Sequence, residues 1–236
     1  NFELNLRATH LVAEAARTHG VARVVFASSA AVYGDAPALP LSERAGDLRP
    51  ISPYGAAKLA SESLLLGYAA ACGFTVRCHR YFNVYGPRQD PRSPYSGVVS
   101  IFCEKLRAGA SPTIFGDGEQ TRDFIAVDDV ARANVLAITA PQLNSGVVNI
   151  CSGQATSLNR MVQILRGLIA GAPAAFHAPA KPADIRHSLG APGLARAECG
   201  FAAEVSLEGG LAATLRHSSH PPGSCAASPE SARRVA

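Results

Sequence analysis

Val24-Val25-Phe26-Ala27-Ser28-Ser29-Ala30-Ala31-Val32-Tyr33-Gly34 is the stretch on which the reading of the fold turns. Its first four residues are an unbroken apolar run, the pattern of a short strand buried on both faces. Two serines follow at the carboxyl end of that strand. In an open α/β sheet, ligands bind outside the carboxyl ends of the strands. A hydroxyl placed there can hydrogen-bond a substrate, or simply cap the next turn. Upstream, Leu4, Leu6, Leu11, Val12, Ala15 and Ala16 recur at near-helical spacing, and Gly20 follows as a stop. Downstream, Tyr33 to Ile51 carries three Pro and two Gly and reads as a loop. Pro53 to about Cys72 is helical again, with Pro in the opening turn, and Thr75 to Tyr81 is strand-like. Helix, strand, loop, helix, strand is the rhythm of a doubly wound parallel α/β sheet.

After Gly86 the texture changes. Pro87, Pro91 and Pro94 punctuate a loop, and Val98 to Ala108 reads as a helix. Thr113-Ile114-Phe115 and Phe124-Ile125 are short strand candidates. Val127 to Ile138 is a helix with Asp128 and Asp129 in its first turn, where the helix dipole favours them. Val147 to Ile150 is a strand, Leu158 to Ile169 a helix, and Leu207 to Arg216 a last helix. From Ala172 onward Ala and Pro dominate and periodicity weakens. Residues 217–236, rich in Ser, Pro and Ala, are expected to be a disordered tail.

Composition narrows the function. The 236 residues are 47% hydrophobic and 17% charged, an ordinary globular balance. Lys and Arg exceed Asp and Glu by 22 to 18, spread along the chain, which is no polyelectrolyte-binding signature. With no Trp and 6% aromatics, a stacking platform for nucleic acid is not expected either. The longest uncharged apolar stretch, Ser63 to Val76, is too short and too broken by Gly to span a bilayer. No signal peptide is legible, so a cytoplasmic protein is the expectation. The six cysteines form no C-x-x-C pair and read as free thiols rather than zinc ligands or disulfides, so no metal site is expected. The first residue is Asn and the chain opens directly in a helical pattern, which suggests a fragment.

The candidate chemistry begins at Tyr54-Gly55-Ala56-Ala57-Lys58. On a helix, i and i+4 share a face, so phenol and ammonium lie one turn apart. A cation held there favours the phenolate and suits the tyrosine to proton abstraction. Alone, the spacing also describes a solvated helix face.

Four ordered blocks together resemble the extended short-chain dehydrogenase/reductase family, in its nucleotide-sugar epimerase/dehydratase branch. They are Ser28-Ser29-Ala30-Ala31-Val32-Tyr33-Gly34; Tyr54 with Lys58; Arg80-Tyr81-Phe82-Asn83-Val84-Tyr85-Gly86-Pro87-Arg88-Gln89-Asp90-Pro91; and Phe115-Gly116-Asp117-Gly118-Glu119-Gln120-Thr121-Arg122-Asp123-Phe124 followed by Val127-Asp128-Asp129-Val130. The resemblance covers about residues 4 to 216. It implies a partial Rossmann-like doubly wound parallel sheet with a smaller C-terminal α/β substrate domain. Residues 1–86 would be the C-terminal part of the NAD-binding domain. Residues 87–216 would be mainly the substrate domain, with some segments returning to the first sheet.

The same resemblance implies NAD as cofactor and a UDP-hexose type of nucleotide sugar as substrate. Ser29, Tyr54 and Lys58 would be catalytic, Tyr54 taking the proton from a sugar hydroxyl, most often at C4, and Ser29 bridging the two. Ser28, Tyr54, Lys58, Tyr81 and Phe82 would lie against the cofactor. Ser29, Asn83, Arg122, Asp184 and Arg186 would hold the substrate. Plain surface charge remains an alternative for Asp184 and Arg186, and an ion pair with Asp123 for Arg122. A full-length protein would form a homodimer through the helices at about Leu4–His19 and Pro53–Cys72.

Dehydratases of the family carry an Asp-Glu pair where this chain has Ala30 and Ala31, which cannot transfer protons. That favours a 4-epimerase acting on UDP-glucose/UDP-galactose or their N-acetyl forms through a transient 4-keto sugar. A UDP-glucuronate-processing or dehydratase relative, and a non-catalytic nucleotide-sugar-binding remnant, remain open. No G-x-G-x-x-G or G-x-x-G-x-x-G occurs in the sequence, so weak NAD binding and inactivity of the chain on its own are expected. The family's Asp and Lys at a late helix start are replaced by Gly190-Ala191-Pro192-Gly193-Leu194-Ala195, which together with the Ser/Pro-rich tail suggests a C-terminus that has drifted or been frameshifted.

Overall fold

Among the residues described by the computed structural model (1–44, 46, 48–93, 97–180 and 185–217), the elements follow in this order. They are α1 (Ala8–Thr18), β1 (Arg23–Ser29), α2 (Pro53–Cys72), β2 (Thr75–Tyr81), β3 (Asn83–Tyr85), α3 (Val98–Arg107), β4 (Thr113–Phe115), β5 (Thr121–Ala126), α4 (Val127–Thr139), β6 (Gly146–Ile150), β7 (Ala155–Ser157), α5 (Leu158–Leu168), β8 (Phe176–Ala178), α6 (Gly193–Cys199) and α7 (Leu207–His217). A π-helical turn, Phe2–Arg7, leads into α1, and a 3-10 turn, Ala30–Tyr33, follows β1.

The first sheet has the order β1-β2-β6, all parallel. Its register aligns Ser29 with Tyr81 and Tyr81 with Ile150, so the three strands end level. On one face α1 and α2 pack through Ala13 and Leu65 onto Val76 and Cys78. On the other, Val130 and Ala133 of α4 and Ala195 of α6 pack onto Val148 and Ile150. Alternation along β2 therefore sends Cys78 and Arg80 toward α2, and Arg77, His79 and Tyr81 toward α4 and α6.

Phe82 is the hinge between sheets. Its N–H donates to Ile150 O at 3.1 Å, and the chain then enters β3, which lies in a second sheet of order β3-β5-β7. A two-stranded parallel pair, β4-β8, completes the C-terminal part. The larger apolar core there joins Phe102 and Leu106 of α3, Met161 and Leu165 of α5, and Leu211 of α7.

Several boundaries differ from the sequence reading. The strand expected at Phe124-Ile125 runs over Thr121–Ala126, and the three-residue strands at 83–85, 155–157 and 176–178 are too short to show periodicity. Although the expected Asp and Lys are replaced near 190–195, a helix, α6, forms there, with Pro192 at its start and Gly200 in the left-handed conformation at its end. Ala195 is fully buried, so apolar packing against the sheet replaces the missing polar start. His217 closes α7 rather than opening the tail; residues 218–236 lie outside the described residues.

The irregular C-terminal segments are held by two buried carboxylates. Asp123 accepts hydrogen bonds from Ser152 N at 2.8 Å, Ser152 Oγ at 2.7 Å, Gly153 N at 2.9 Å and Gly190 N at 3.2 Å. Burial pushes its carboxyl upward, and those donors oppose the shift. Asp129 accepts from Glu204 N and Val205 N and pairs with Arg132 at 2.7 Å.

His79 supplies a pH test of this architecture. It is buried in β2, its Nδ1 lies 2.9 Å from Asn134 Oδ1, and burial pushes its pKa down to about 4 from 6.5. The folded protein therefore refuses a proton that the unfolded chain accepts. Above pH 6.5 His79 contributes no pH dependence; between about 6.5 and about 4 it makes stability fall by a total of roughly 3 kcal/mol. Urea unfolding across this range should show that slope, and His79→Gln should flatten it.

Candidate active site

The level ends of β1 and β2 place the candidate residues. Ser29 closes β1, and its Oγ accepts from Ala31 N at 3.2 Å, which caps the 3-10 turn and leaves the hydroxyl proton to donate. Helix α2 starts at Pro53, and its capping residue Ser52 stands 23 residues after Ser29. Ser52 Oγ accepts from Gly55 N at 3.1 Å, and Pro53 supplies the preset first turn.

Gly55 explains how close this turn comes to β1. A Cβ there would stand 2.5 Å from Ala31 O and 3.0 Å from Pro50 Cβ. Only glycine lets the start of α2 lie directly on the turn that follows Ser29. Tyr54, beside it, is 41% exposed, and the 4-residue spacing to Lys58 puts both on one helix face.

Lys58 is more confined. Its Nζ donates to Ala27 O at 2.9 Å and sits 5.0 Å from the centroid of the Phe26 ring and 5.7 Å from that of Tyr54. Burial holds its pKa below the ordinary lysine value, so this ammonium binds its proton less tightly than a solvated one.

Ser28 points the other way. Alternation along β1 turns it into the interior, where it is 3% exposed and its Oγ donates to Glu62 Oε1. Tyr81 faces α4, with its hydroxyl donating to Asn134 Oδ1 at 2.7 Å. Phe82 is buried against Tyr33, with ring centroids 6.4 Å apart, and packs so closely on Gly190 that a Cβ there would lie 2.8 Å from Phe82 Cζ. The structure thus sets Lys58 beside the Tyr54 ring on the first half of α2 and Ser29 at the end of the neighbouring strand β1, and places the side chains of Ser28, Tyr81 and Phe82 in packing contacts.

The second sheet gathers the other candidates. Asn83 is in register with Phe124, two residues from Arg122, so Asn83 and Arg122 share one face of β3-β5. Asn83 Nδ2 donates to Asp123 O at 3.3 Å. Arg122 NH1 donates to Thr121 O at 2.9 Å and reaches Arg186 O at 3.5 Å. Arg186 itself grips Asp117 with two bonds of 2.7 Å, which holds the Asp117 carboxyl well below its usual range. Asp184 lies outside the described residues.

Sequence reasoning overlooked Glu62 and Asn149. Glu62 accepts both Arg80 Nε (3.0 Å) and Arg80 NH2 (2.7 Å); Asn149 Oδ1 accepts from Tyr33 at 2.7 Å and Asn149 Nδ2 donates to Leu41 O at 2.9 Å. The signal for Glu62 was available: it stands four residues beyond Lys58, on the face Lys58 shares with Tyr54.

A parallel α/β sheet with Ser at one strand end and a Tyr-x-x-x-Lys helix laid across it defines the class. The chain belongs to the NAD dependent epimerase/dehydratase family, whose model matches residues 1–151. It is 41% identical over 165 residues to a putative UDP-glucose 4-epimerase of Methanocaldococcus jannaschii, covering 70% of this chain and 52% of that protein. It is 40% identical over 215 residues to a UDP-glucose 4-epimerase of Mycolicibacterium smegmatis, covering 90% of this chain and 67% of that protein. Among solved structures, the UDP-glucose 4-epimerase of Thermotoga maritima with UDP-glucose superposes with a TM-score of 0.85 at 36% identity, covering 91% of this chain and 69% of that one. The chain thus spans about half to two thirds of the length of these curated relatives. The fold is the Rossmann-type α/β arrangement of those neighbours. No described helix is long and apolar enough to cross a membrane, and the described residues hold no cluster of metal-ligating side chains.

The close approach at Gly55 has a measurable consequence. Gly55→Ala should cost about 1–3 kcal/mol in urea unfolding, because the methyl group meets a backbone carbonyl that cannot yield. Gly67→Ala, further along the same helix with nothing within 4 Å, should stabilise by up to about 1 kcal/mol.

Proposed function

We propose that the protein carrying these residues is a nucleotide-sugar 4-epimerase acting on a UDP-hexose of the UDP-glucose/UDP-galactose type. The observation that supports the reading is the placement of Tyr54 and Lys58 on one face of α2, with Lys58 bonded to Ala27 O of β1 and the first turn of α2 lying on the turn that follows Ser29. Tyr54 serves as the base that takes the proton from the sugar's C4 hydroxyl and returns it. Ser29, with its oxygen already accepting from Ala31 N, donates its own proton to the same sugar oxygen and fixes its position. The Lys58 ammonium favours the phenolate form of Tyr54 electrostatically. Ala30 and Ala31, at the start of the 3-10 turn, offer no acid or base for eliminating water, which supports epimerisation over dehydration.

The residues present fit the nicotinamide-ribose end of NAD. Among the described residues Lys58 spends one of its three N–H donors, on Ala27 O, beside the exposed Tyr54, so two remain for ribose hydroxyls. NAD, when bound, would supply the acceptor and donor of the C4 hydride that makes and unmakes the 4-keto sugar. Asn83 and Arg122, on one face of the second sheet, are the candidates for the substrate diphosphate, whose adjacent phosphates a planar guanidinium suits. The names of the relatives support UDP as the nucleotide. Exposed Leu4, Leu11 and Val12 at the start of the chain fit a homodimer in which these residues are covered.

The test is interconversion of UDP-galactose and UDP-glucose with NAD supplied, on the gene product that carries these residues. Tyr54→Phe should lower kcat by about 10²–10⁴-fold with little change in KM, since it removes a proton acceptor used in the transition state. No conversion with any UDP-hexose by the unaltered protein would sink the reading. Separately, UDP should raise the melting temperature of residues 1–236, and Arg122→Ala should abolish the rise.

A further inference from the structure

Tyr54, Lys58 and Glu62 lie on one line along α2, each a turn beyond the last. Tyr54 is exposed, Lys58 is bonded to Ala27 O, and Glu62 is buried. Glu62 Oε1 accepts from Ser28 Oγ and from Arg80 Nε, and Glu62 Oε2 from Arg80 NH2. The two side chains of this pair are 3% and 4% exposed. Lys58 meanwhile donates to Ala27 O, one residue before Ser28 on the same strand. Ammonium and carboxylate therefore touch neighbouring residues of β1 from neighbouring turns of α2.

A carboxylate four residues from a lysine on a helix is ordinarily its ion-pair partner. Here the described contacts of Lys58 include no such pair. The fork of Arg80 takes both carboxylate oxygens, and Arg80 is itself clamped: its Cζ lies 4.8 Å from the centroid of the Tyr33 ring, and Tyr33 is tied to Asn149 of β6. We infer that Arg80 is a positioning residue that sequesters Glu62 from Lys58 and so leaves the ammonium to act on Tyr54. This rests on the reading of Tyr54 as the base.

The other charged and titratable groups near Glu62 do not substitute for Arg80. From β1 there is only Ser28. From β2 there is Cys78, a thiol pushed up to about 12 by burial and thus uncharged. From the 3-10 turn there is Tyr33, whose pKa burial raises. On α1, Glu14 is taken by Arg17 and Tyr68, with His10 beside them; in the π-helical turn before α1, Glu3 and Arg7 pair with each other at 2.6 Å.

The test reads Lys58 directly. The sequence has three lysines, Lys58, Lys105 and Lys181, so ε-¹³C-lysine NMR follows each titration, with Lys58 assigned by Lys58→Arg. Arg80→Lys keeps the buried charge but has no fork and holds one oxygen, which frees the other. In that variant the proton affinity of Lys58 should rise by about three- to tenfold. Adding Glu62→Gln should cancel the rise. An unchanged Lys58 titration in folded Arg80→Lys overturns the inference. If Arg80→Lys does not fold, Glu62→Gln alone decides: a sequestered carboxylate predicts no change at Lys58, and a fall in its proton affinity overturns the proposal. Because this readout needs no turnover, it is independent of the epimerase reading. The expected titrations in a protein that converts no sugar would leave Arg80's role standing and remove the function. Unchanged titrations in an active enzyme would do the reverse.

Discussion

The buried pair between Glu62 and Arg80 is the interaction on which the candidate site depends. Removing two charges from water costs several kcal/mol per ion, and their attraction offsets this only with good geometry and satisfied hydrogen bonds. Both conditions are largely met: the guanidinium meets the carboxylate in a two-bond fork, Ser28 adds a third donor, and Tyr33 covers the cation. Such a pair adds little net stability compared with an apolar replacement. What it supplies is one allowed placement. It ties α2 to β1 and β2 at a single rotation of the helix, and at that rotation Lys58 meets Ala27 O of β1 with the Tyr54 ring beside it. Gly55 then fixes the height, because its missing side chain lets the first turn touch Ala31 O.

The parts of this arrangement that follow a period were legible in the sequence. The apolar run before Ser28, the Pro-opened helix and the spacing of Tyr54 and Lys58 each carry a local signal, and each lies where the local rule puts it. Which way a side chain faces was harder. Ser28 and Ser29 are adjacent, and a period of two sends one into the core and the other to the strand end; the sequence contains no mark of which is which until a partner for Ser28 is found in Glu62. Tyr81 and Phe82 pose the same difficulty. The chain passes from one sheet to the next at Phe82, and the side chains flanking that passage are used in packing against Asn134 and Gly190.

The C-terminal third was poorly legible for a different physical reason. Its elements are short, and its connections are held by non-local hydrogen bonds rather than by periodic burial. Asp123 gathers the N–H groups of Ser152, Gly153 and Gly190, and Asp129 gathers those of Glu204 and Val205. An Ala-, Pro- and Gly-rich segment offers few apolar side chains to order it, so buried acceptors on β5 and α4 do that work. Helix α6 forms in this setting although its sequence opens with Pro-Gly, because Ala195 and Phe201 find a place on the sheet.

The first of these carboxylates also lies beside the substrate-binding candidates. Asp123 sits between Arg122 and Phe124 on β5, and its backbone carbonyl accepts from Asn83. Its side chain faces inward to Gly190, which packs on Phe82, the residue at which the first sheet hands over to the second. Catalytic and substrate-facing candidates are therefore joined by a short path of buried contacts: from Arg122 through Asp123 and Gly190 to Phe82, and from Phe82 through Tyr33 to Arg80 and Glu62. Each step is a packed or hydrogen-bonded contact with little room to relax. A displacement of the second sheet is thus constrained to move with the first, which is what the proposed reaction would require if one part held a diphosphate and the other met a single carbon of the attached sugar.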